Sequence, residues 1–328
     1  MRDIQSLLPF ILRHENVASC EDGVLMIMDR RCYPFENKRV ACHDAAETAE
    51  AIRNMVTQGG GPLEAALQAM ILTAELKGKD EGAFSLAVKA LSGARPTNTT
   101  MKRELEALLP LILNEFASAD FVSSVRTLVE ERLHHYDECY LKMAMNGVTL
   151  LKDGDGILTT CFPEHSFFLT LALAREKGIT FSVFAPETRP FLQGARLTAS
   201  SLAEMGYDHT LITDNMVSSF MSSGKIDIYM TASDLALRDK TVVNKIGTLG
   251  NAINARYYGI PYYPFSISFD EGKNGREDIK IEYRDPEEVR MIRGVRTCPD
   301  NVNASYPCFD IIPPELVSGI VMPEGIIQ

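Results

Sequence analysis

Between Thr180 and Gly250 the chain alternates short β-rich runs with single helical stretches three times in succession. They read TFSVFAPE then GARLTASSLAEMG, HTLITDN then MVSSFMSSG, and DIYMTASD then VNKIGTLGNAINARYYG. The helical stretches carry apolar residues at i, i+3, i+4 spacing. Strands alternating with single helices of this length imply crossover connections and a parallel sheet. Polar residues gather where the strands end, at Glu187-Thr188-Arg189, Asp214-Asn215 and Ser233-Asp234. In an open α/β sheet ligands bind at that carboxyl edge, so the alternation predicts where a site belongs without naming its ligand.

A chain of 328 residues has room for about two domains, each with its own core. The net charge of −11 and the lack of a Lys/Arg block argue against nucleic acid as a partner. Seven cysteines at irregular spacing make no disulfide framework, and there is no CxxC or HxxxH pair to hold a metal. The opening MRDIQSLLPFILRHEN has too short an apolar core for a signal peptide, and no run approaches the ~20 residues of a membrane span. These features predict a cytoplasmic protein with reduced thiols, no metal and no membrane partner.

Residues 1–16 read as an amphipathic helix interrupted near Pro9, and Gly23 to His43 as a β-hairpin. Asp44 followed by Glu47 is a capping-box pattern that starts a helix, which stops at Gly59-Gly60-Gly61. The three glycines suit either a plain helix–helix turn or an anion-binding loop. Helices are predicted over roughly 62–77, 83–92 and 99–117, and one long helix over 121–146. The expected architecture is α/β. Residues 1–120 form a mainly helical domain with a small β-hairpin, and 121–147 a bridging helix. Residues 148–328 form a Rossmann-like parallel sheet flanked by helices.

The turn after the first strand of that sheet, Cys161 to Ser166, contains no glycine. A nicotinamide cofactor is therefore disfavoured, and no Walker A sequence is present. Cys161 ends this strand just before a helix that Pro163 begins, where a positive potential favours thiolate; the alternative is a buried structural cysteine. Asp234 ends the fourth strand, so both side chains can reach one crevice. A strand-end aspartate is otherwise often a helix cap. Together, a thiol and a carboxylate suit proton transfer at adjacent carbons.

At these residues the chain resembles a family. FAPETRPFLQGARLT at 184–198, LITDNM at 211–216, ASD at 232–234 and NKIGT at 244–248 are similar to the methylthioribose-1-phosphate isomerases. The same fold occurs in the regulatory subunits of the translation-initiation guanine-nucleotide exchange factor. Supporting matches are AIRNMV at 51–56, ARPT at 94–97, ILTTC at 157–161, RDPEEV at 284–289 and PCFDIIPPEL at 307–316, so the resemblance spans nearly the whole chain.

The resemblance makes Cys161 the catalytic cysteine and Asp234 the general acid/base. It places Gln193, Asn244 and Lys245 at substrate-binding positions, Arg95 in an RPT motif, and Gln58, Gly59 and Gly60 in a phosphate loop. It implies a homodimer that converts a 5-substituted ribose 1-phosphate to the ribulose 1-phosphate in methionine salvage, with no metal or organic cofactor. Lys245 and Arg95 supply cations that an anionic phosphate needs in an acidic chain.

Two departures concern the substrate. The family reads Arg-Gly-Ala-Pro where this chain has Gln58-Gly59-Gly60-Gly61, a lost charge-assisted contact worth roughly 1.5–3 kcal/mol. The family also reads His-Cys-Asn-Ala-Gly where this chain has Thr160-Cys161-Phe162-Pro163-Glu164. Methylthioribose 1-phosphate, another pentose 1-phosphate such as 5-deoxyribose 1-phosphate, and a non-catalytic metabolite-sensing role are the alternatives.

Overall fold

The computed structural model describes residues 3–95, 99–273 and 275–328. Pro96 and Thr97 of the RPT motif lie outside the described residues. The chain forms two compact units, Met1–Cys139 and Tyr140–Gln328.

The first unit does not open with the expected helix. Two 3₁₀ turns, Gln5–Leu7 and Phe10–Leu12, are followed by a single turn α1 (His14–Val17). Pro9 explains the difference, because it forces the preceding residue into extended backbone and removes a helical donor. Ile4, Leu8, Ile11 and Leu12 are buried all the same. Strands β1 (Ala18–Glu21), β2 (Val24–Met28) and β3 (Arg39–Cys42) form an antiparallel sheet that contains the expected hairpin as β2 and β3. The extra strand β1 turns into β2 through Asp22 and Gly23, both left-handed, as a two-residue hairpin turn requires.

Helices α2 (Ala45–Arg53), α3 (Gly61–Lys77), α4 (Glu81–Ser92), α5 (Thr99–Asn114) and α6 (Phe121–Gly147) complete the helical part. The Asp44 carboxylate accepts from the Glu47 amide at 2.8 Å and caps α2, while Glu47 reaches back to the His43 amide at 2.8 Å. α3 is apolar nearly all round and is buried from Gly61 to Leu67. It packs on β1, β2, α2, α4 and α5 as the central helix of the unit. The His14 ring is held between Glu64 of α3, 3.0 Å away, and Asp137 of α6, 3.1 Å away. Burial alone would lower the imidazole's pKa, but the two carboxylates outweigh it and raise it to about 10.

In the second unit the strands are β4 (Asp155–Leu158), β5 (Phe181–Pro186), β6 (His209–Ile212), β7 (Ile228–Ala232), β8 (Leu235–Ala236), β9 (Val242–Lys245) and β10 (Tyr262–Phe265). After these come β11 (Met291–Ile292), β12 (Val295–Arg296), β13 (Phe309–Ile312), β14 (Ile320–Met322) and β15 (Gly325–Ile327). The helices are α7 (Glu164–Glu176), α8 (Ala199–Glu204), α9 (Val217–Ser222), α10 (Thr248–Tyr257) and α11 (Glu287–Arg290).

The main sheet runs β6-β5-β4-β7-β10-β14-β15, parallel throughout except for the last pair. The chain builds outward from β4 through β5 to β6, then crosses back and continues from β7. The strand order therefore reverses between β4 and β7, the position where doubly wound sheets open a crevice for ligands. A second small sheet, β8-β9-β13, is antiparallel.

One local expectation fails here. Val243, Asn244 and Lys245, read as the start of a helix, are strand β9, paired with β13 so that Lys245 faces Phe309 in register. Gly247, at φ 99°, separates that strand from α10. Two β-branched residues, Val242 and Val243, favour the strand.

Candidate active site

Cys161 lies just past β4 and Asp234 just past β7, on the two strands that flank the order reversal. The fold thus brings to one crevice the two residues that the sequence singles out. Lys245 arrives from the end of β9, buried, with its ammonium 4.5 Å from the centroid of the Phe309 ring. Lys245, Asp234 and Glu164 all act on the Cys161 sulfur. The Cys161 thiol is pushed up to about 12, chiefly by burial; Lys245 draws it down, and Asp234 and Glu164 push it further up.

The thiolate expected from the helix N-terminus is therefore overturned. Cys161 sits two residues before Pro163, the N-cap of α7, and a helix dipole fades within the first turn, where it is worth roughly 0.3–1 kcal/mol. Burying an uncompensated charge costs several times that. The balance of these effects favours the protonated thiol at neutral pH.

Its backbone is left-handed, at φ 64°. The Cys161 amide donates to Thr188 Oγ1 at 3.0 Å, and its carbonyl accepts from the Thr198 hydroxyl. Glu164, Thr188 and Leu192 are also left-handed, at φ 61°, 61° and 62°. Four non-glycine residues in this conformation, each costing roughly 1–3 kcal/mol, cluster at the ends of β4 and β5. Strain of this kind persists where surrounding contacts over-determine it, as they do at ligand sites.

Gln193 is buried, and its amide oxygen has no hydrogen-bond partner among the described residues. The next residue must be glycine, since a Cβ on Gly194 would lie 1.7 Å from the Pro186 carbonyl at the end of β5. Asn244 is buried and donates to Thr248 Oγ1 at 3.1 Å.

The remaining predicted residues belong to the first unit. Gln58 is buried, and neither atom of its side-chain amide has a hydrogen-bond partner among the described residues. Gly59 is left-handed at φ 63°, and Gly60 is the N-cap of α3. Arg95 donates to the Met55 sulfur at 3.2 Å, which brings its guanidinium to the segment leading into Gln58. Fully buried Arg30 donates to the Gln58 carbonyl at 2.6 Å, so a positive charge stands directly behind this loop.

Tyr229 carried no signal of its own in the sequence, being one aromatic within an apolar strand run. Thr160, Thr188, Thr198 and Thr248 lay inside segments quoted above, with nothing there to mark their hydrogen bonds to the site. Glu164 could have been found from its place three residues after Cys161. Among the described residues no cluster of three or more His, Cys, Asp or Glu could hold a metal, and no helix is long and apolar enough to cross a membrane.

A doubly wound α/β unit with a thiol, a carboxylate and an ammonium at its switch point defines a class, that of proteins which act on or hold a small polar ligand at the carboxyl edge. The chain belongs to the Initiation factor 2 subunit family, whose model matches residues 46–328. It is 35% identical over 324 residues to the methylthioribose-1-phosphate isomerase of Petrotoga mobilis, covering 93% of each chain. It is also 35% identical over 320 residues to the 5-deoxyribose 1-phosphate isomerase of Clostridium botulinum, covering 92% of each. Among solved structures, the 5-methylthioribose 1-phosphate isomerase of Pyrococcus horikoshii matches with a TM-score of 0.84 at 29% identity, covering 95% of this chain and 92% of that one.

Proposed function

We propose that this protein is an aldose–ketose isomerase acting on a ribose 1-phosphate whose 5-position is deoxygenated or carries a thioether. The observation that carries the reading is the meeting of Cys161, Asp234 and Lys245 across the β4–β7 reversal, in a chain 35% identical to two such isomerases. A module that only sensed the metabolite would need neither the thiol nor the carboxylate.

The phosphate blocks C1, so the ring cannot open to a free aldehyde. The C1–O4 bond breaks with its electrons on O4, which takes the Cys161 S–H proton. Hydrogen passes from C2 to C1 with its electron pair, while Asp234 takes the O2 proton and C2 becomes the ketone carbon. The proton on Asp234 then returns to the thiolate through solvent or product, and the sum is an isomerisation. A thiol that keeps its proton is an acid in this scheme, and it leaves no resting thiolate to abstract the C2 hydrogen.

Lys245, Asn244 and Gln193 hold the substrate in the second unit. In the first unit, Gln58, Gly59, Gly60 and Arg95 are assigned to phosphate binding, the loop amides serving as donors. Cations binding a dianion account for a sugar phosphate as the ligand of a chain with net charge −11. The protein works as a homodimer.

The test is NMR of purified protein in D₂O with methylthioribose 1-phosphate, 5-deoxyribose 1-phosphate and ribose 1-phosphate. Conversion of one of the first two to the ribulose 1-phosphate, with no deuterium at C1, is expected. Conversion of none while one binds would make the protein a sensing relative. Deuterium at C1 would replace the hydride route with proton abstraction.

A further inference from the structure

Beneath the crevice lies a set of buried hydrogen bonds to which no step of the reaction assigns a part. Thr160, immediately before Cys161, points its hydroxyl at the Tyr229 hydroxyl, 2.7 Å away, and also accepts from Asn251 Nδ2 at 3.1 Å. Tyr229 is fully buried and stacks on Tyr262 with centroids 4.4 Å apart, and the Tyr262 hydroxyl is 2.9 Å from Thr231 Oγ1. The Tyr229 oxygen also engages the side chains of Thr248 and Asn251. Thr248 in turn donates to the Lys245 carbonyl at 2.6 Å and accepts from Asn244 Nδ2 at 3.1 Å. Four segments are joined in this way: the end of β4, the start of β7, the first turns of α10 and the end of β9.

Those segments deliver Cys161, Asp234 and the Asn244–Lys245 pair. We infer that Tyr229, with Thr160, Asn251 and Thr248, is the positioning device of the site. It fixes the left-handed turn at Cys161 and sets the thiol against Lys245. The inference rests on the isomerase reading for its kinetic consequence, while its structural part stands independently.

Three features support it. The left-handed backbone at Cys161 needs constraint from both sides. Thr188 and Thr198 provide it on one side, and the Thr160–Tyr229 bond provides it on the other. In addition, the network is dry. Thr248 and Tyr229 are fully buried and Thr160 nearly so, so its bonds are made between protein groups and loosening one leaves others unmatched. Finally, Tyr229 cannot relocate, because its ring is clamped by the stack on Tyr262.

The experiment compares Tyr229→Phe, Thr160→Val and Thr160→Ser. Tyr229→Phe keeps the stack and removes only the hydroxyl, while Thr160→Ser keeps the hydroxyl. Two readouts are taken: turnover of the substrate identified by NMR, and iodoacetamide labelling of Cys161 against pH, followed peptide by peptide. Tyr229→Phe and Thr160→Val are expected to lower kcat by about a hundred-fold with KM nearly unchanged, as a small misplacement of a reacting group does.

Combining the two should cost less than the sum of the separate losses, since they share the Thr160–Tyr229 bond. In both variants labelling of Cys161 should begin at lower pH, because a loosened turn admits water to the thiol. Thr160→Ser should match wild type in both respects. Wild-type kcat and labelling in Tyr229→Phe and Thr160→Val would overturn the inference, as would Thr160→Ser failing as badly as Thr160→Val. If the wild-type protein turns over none of the sugar phosphates, the isomerase reading falls, and the labelling profiles alone decide the structural part.

Discussion

Replacing the Cys161 thiol with a hydroxyl isolates its role as an acid. Cys161→Ser and Asp234→Asn should each reduce turnover by at least about a hundred-fold, the usual worth of a positioned acid or base. Sugar-phosphate affinity and melting temperature should hold in both. Near-wild-type turnover in either variant would remove that residue from the chemistry. The thiol's raised pKa has a second consequence. If the proposed acid is the protonated thiol, Cys161 itself brings no loss of activity until pH approaches about 12. An ordinary cysteine titrates near about 8.5. A kcat–pH profile should therefore show no alkaline fall in that region, and a fall there would mean that the acid is not Cys161. At position 58 a rebuilt anion site is the expectation to test against a defective one. Gln58 is buried against the Arg30 guanidinium, so Gln58→Arg would set two cations together away from water. Inhibition by inorganic phosphate, measured at low and high salt, should be no tighter in the variant than in wild type. A ten-fold gain that shrinks with salt would show that the arginine was simply missing.

At the scale of elements, the His14 clamp makes a prediction of its own. Its pKa is about 10 in the folded protein and near 6.5 in the unfolded chain. The ion pairs with Glu64 and Asp137 therefore contribute in full below about 6.5, and the contribution is lost as pH rises through about 10. Melting temperature should fall across that alkaline window in wild type, and much less steeply in His14→Ala. Parallel curves for the two proteins would count against the clamp. The same scale separates what the sequence disclosed from what it did not. β4, β5 and β6 were legible because each is a compact apolar run followed by a helix of distinct period, and β7 and β10 because each is a compact apolar run bounded by turn residues. β9 was not. Its four residues run into α10 with only Ile246 and Gly247 between them, and it owes its strand form to pairing with β13, more than sixty residues later. β1 has little apolar alternation, although Asp22-Gly23 was a usable hairpin signal. The convergence of Cys161 and Asp234 followed from strand order, but the thiol's protonation state did not. Burial arises from what the tertiary fold packs around a side chain, and no local window contains it.

For the whole molecule, light scattering at micromolar concentration should return the mass of a dimer, and a monomeric mass would refute the proposed assembly. The boundary between the two compact units has a further consequence. It falls after Cys139, inside α6, and not in a loop. Phe121, Val125, Val129, Leu133 and Tyr136 are buried before it, and Met143 and Ala144 after it, where Asn146 donates to the Met322 carbonyl at 2.7 Å. A flexible linker would let each unit melt on its own schedule. A helix cannot be cut at its middle without orphaning about four carbonyls and about four amides. Loss of order on one side therefore propagates along the ladder to the other. Scanning calorimetry should record one cooperative transition for the intact chain, and two resolved peaks would disprove the coupling. A cut at this boundary is therefore expected to cost each half stability, and the chemistry is best studied in the uncut protein.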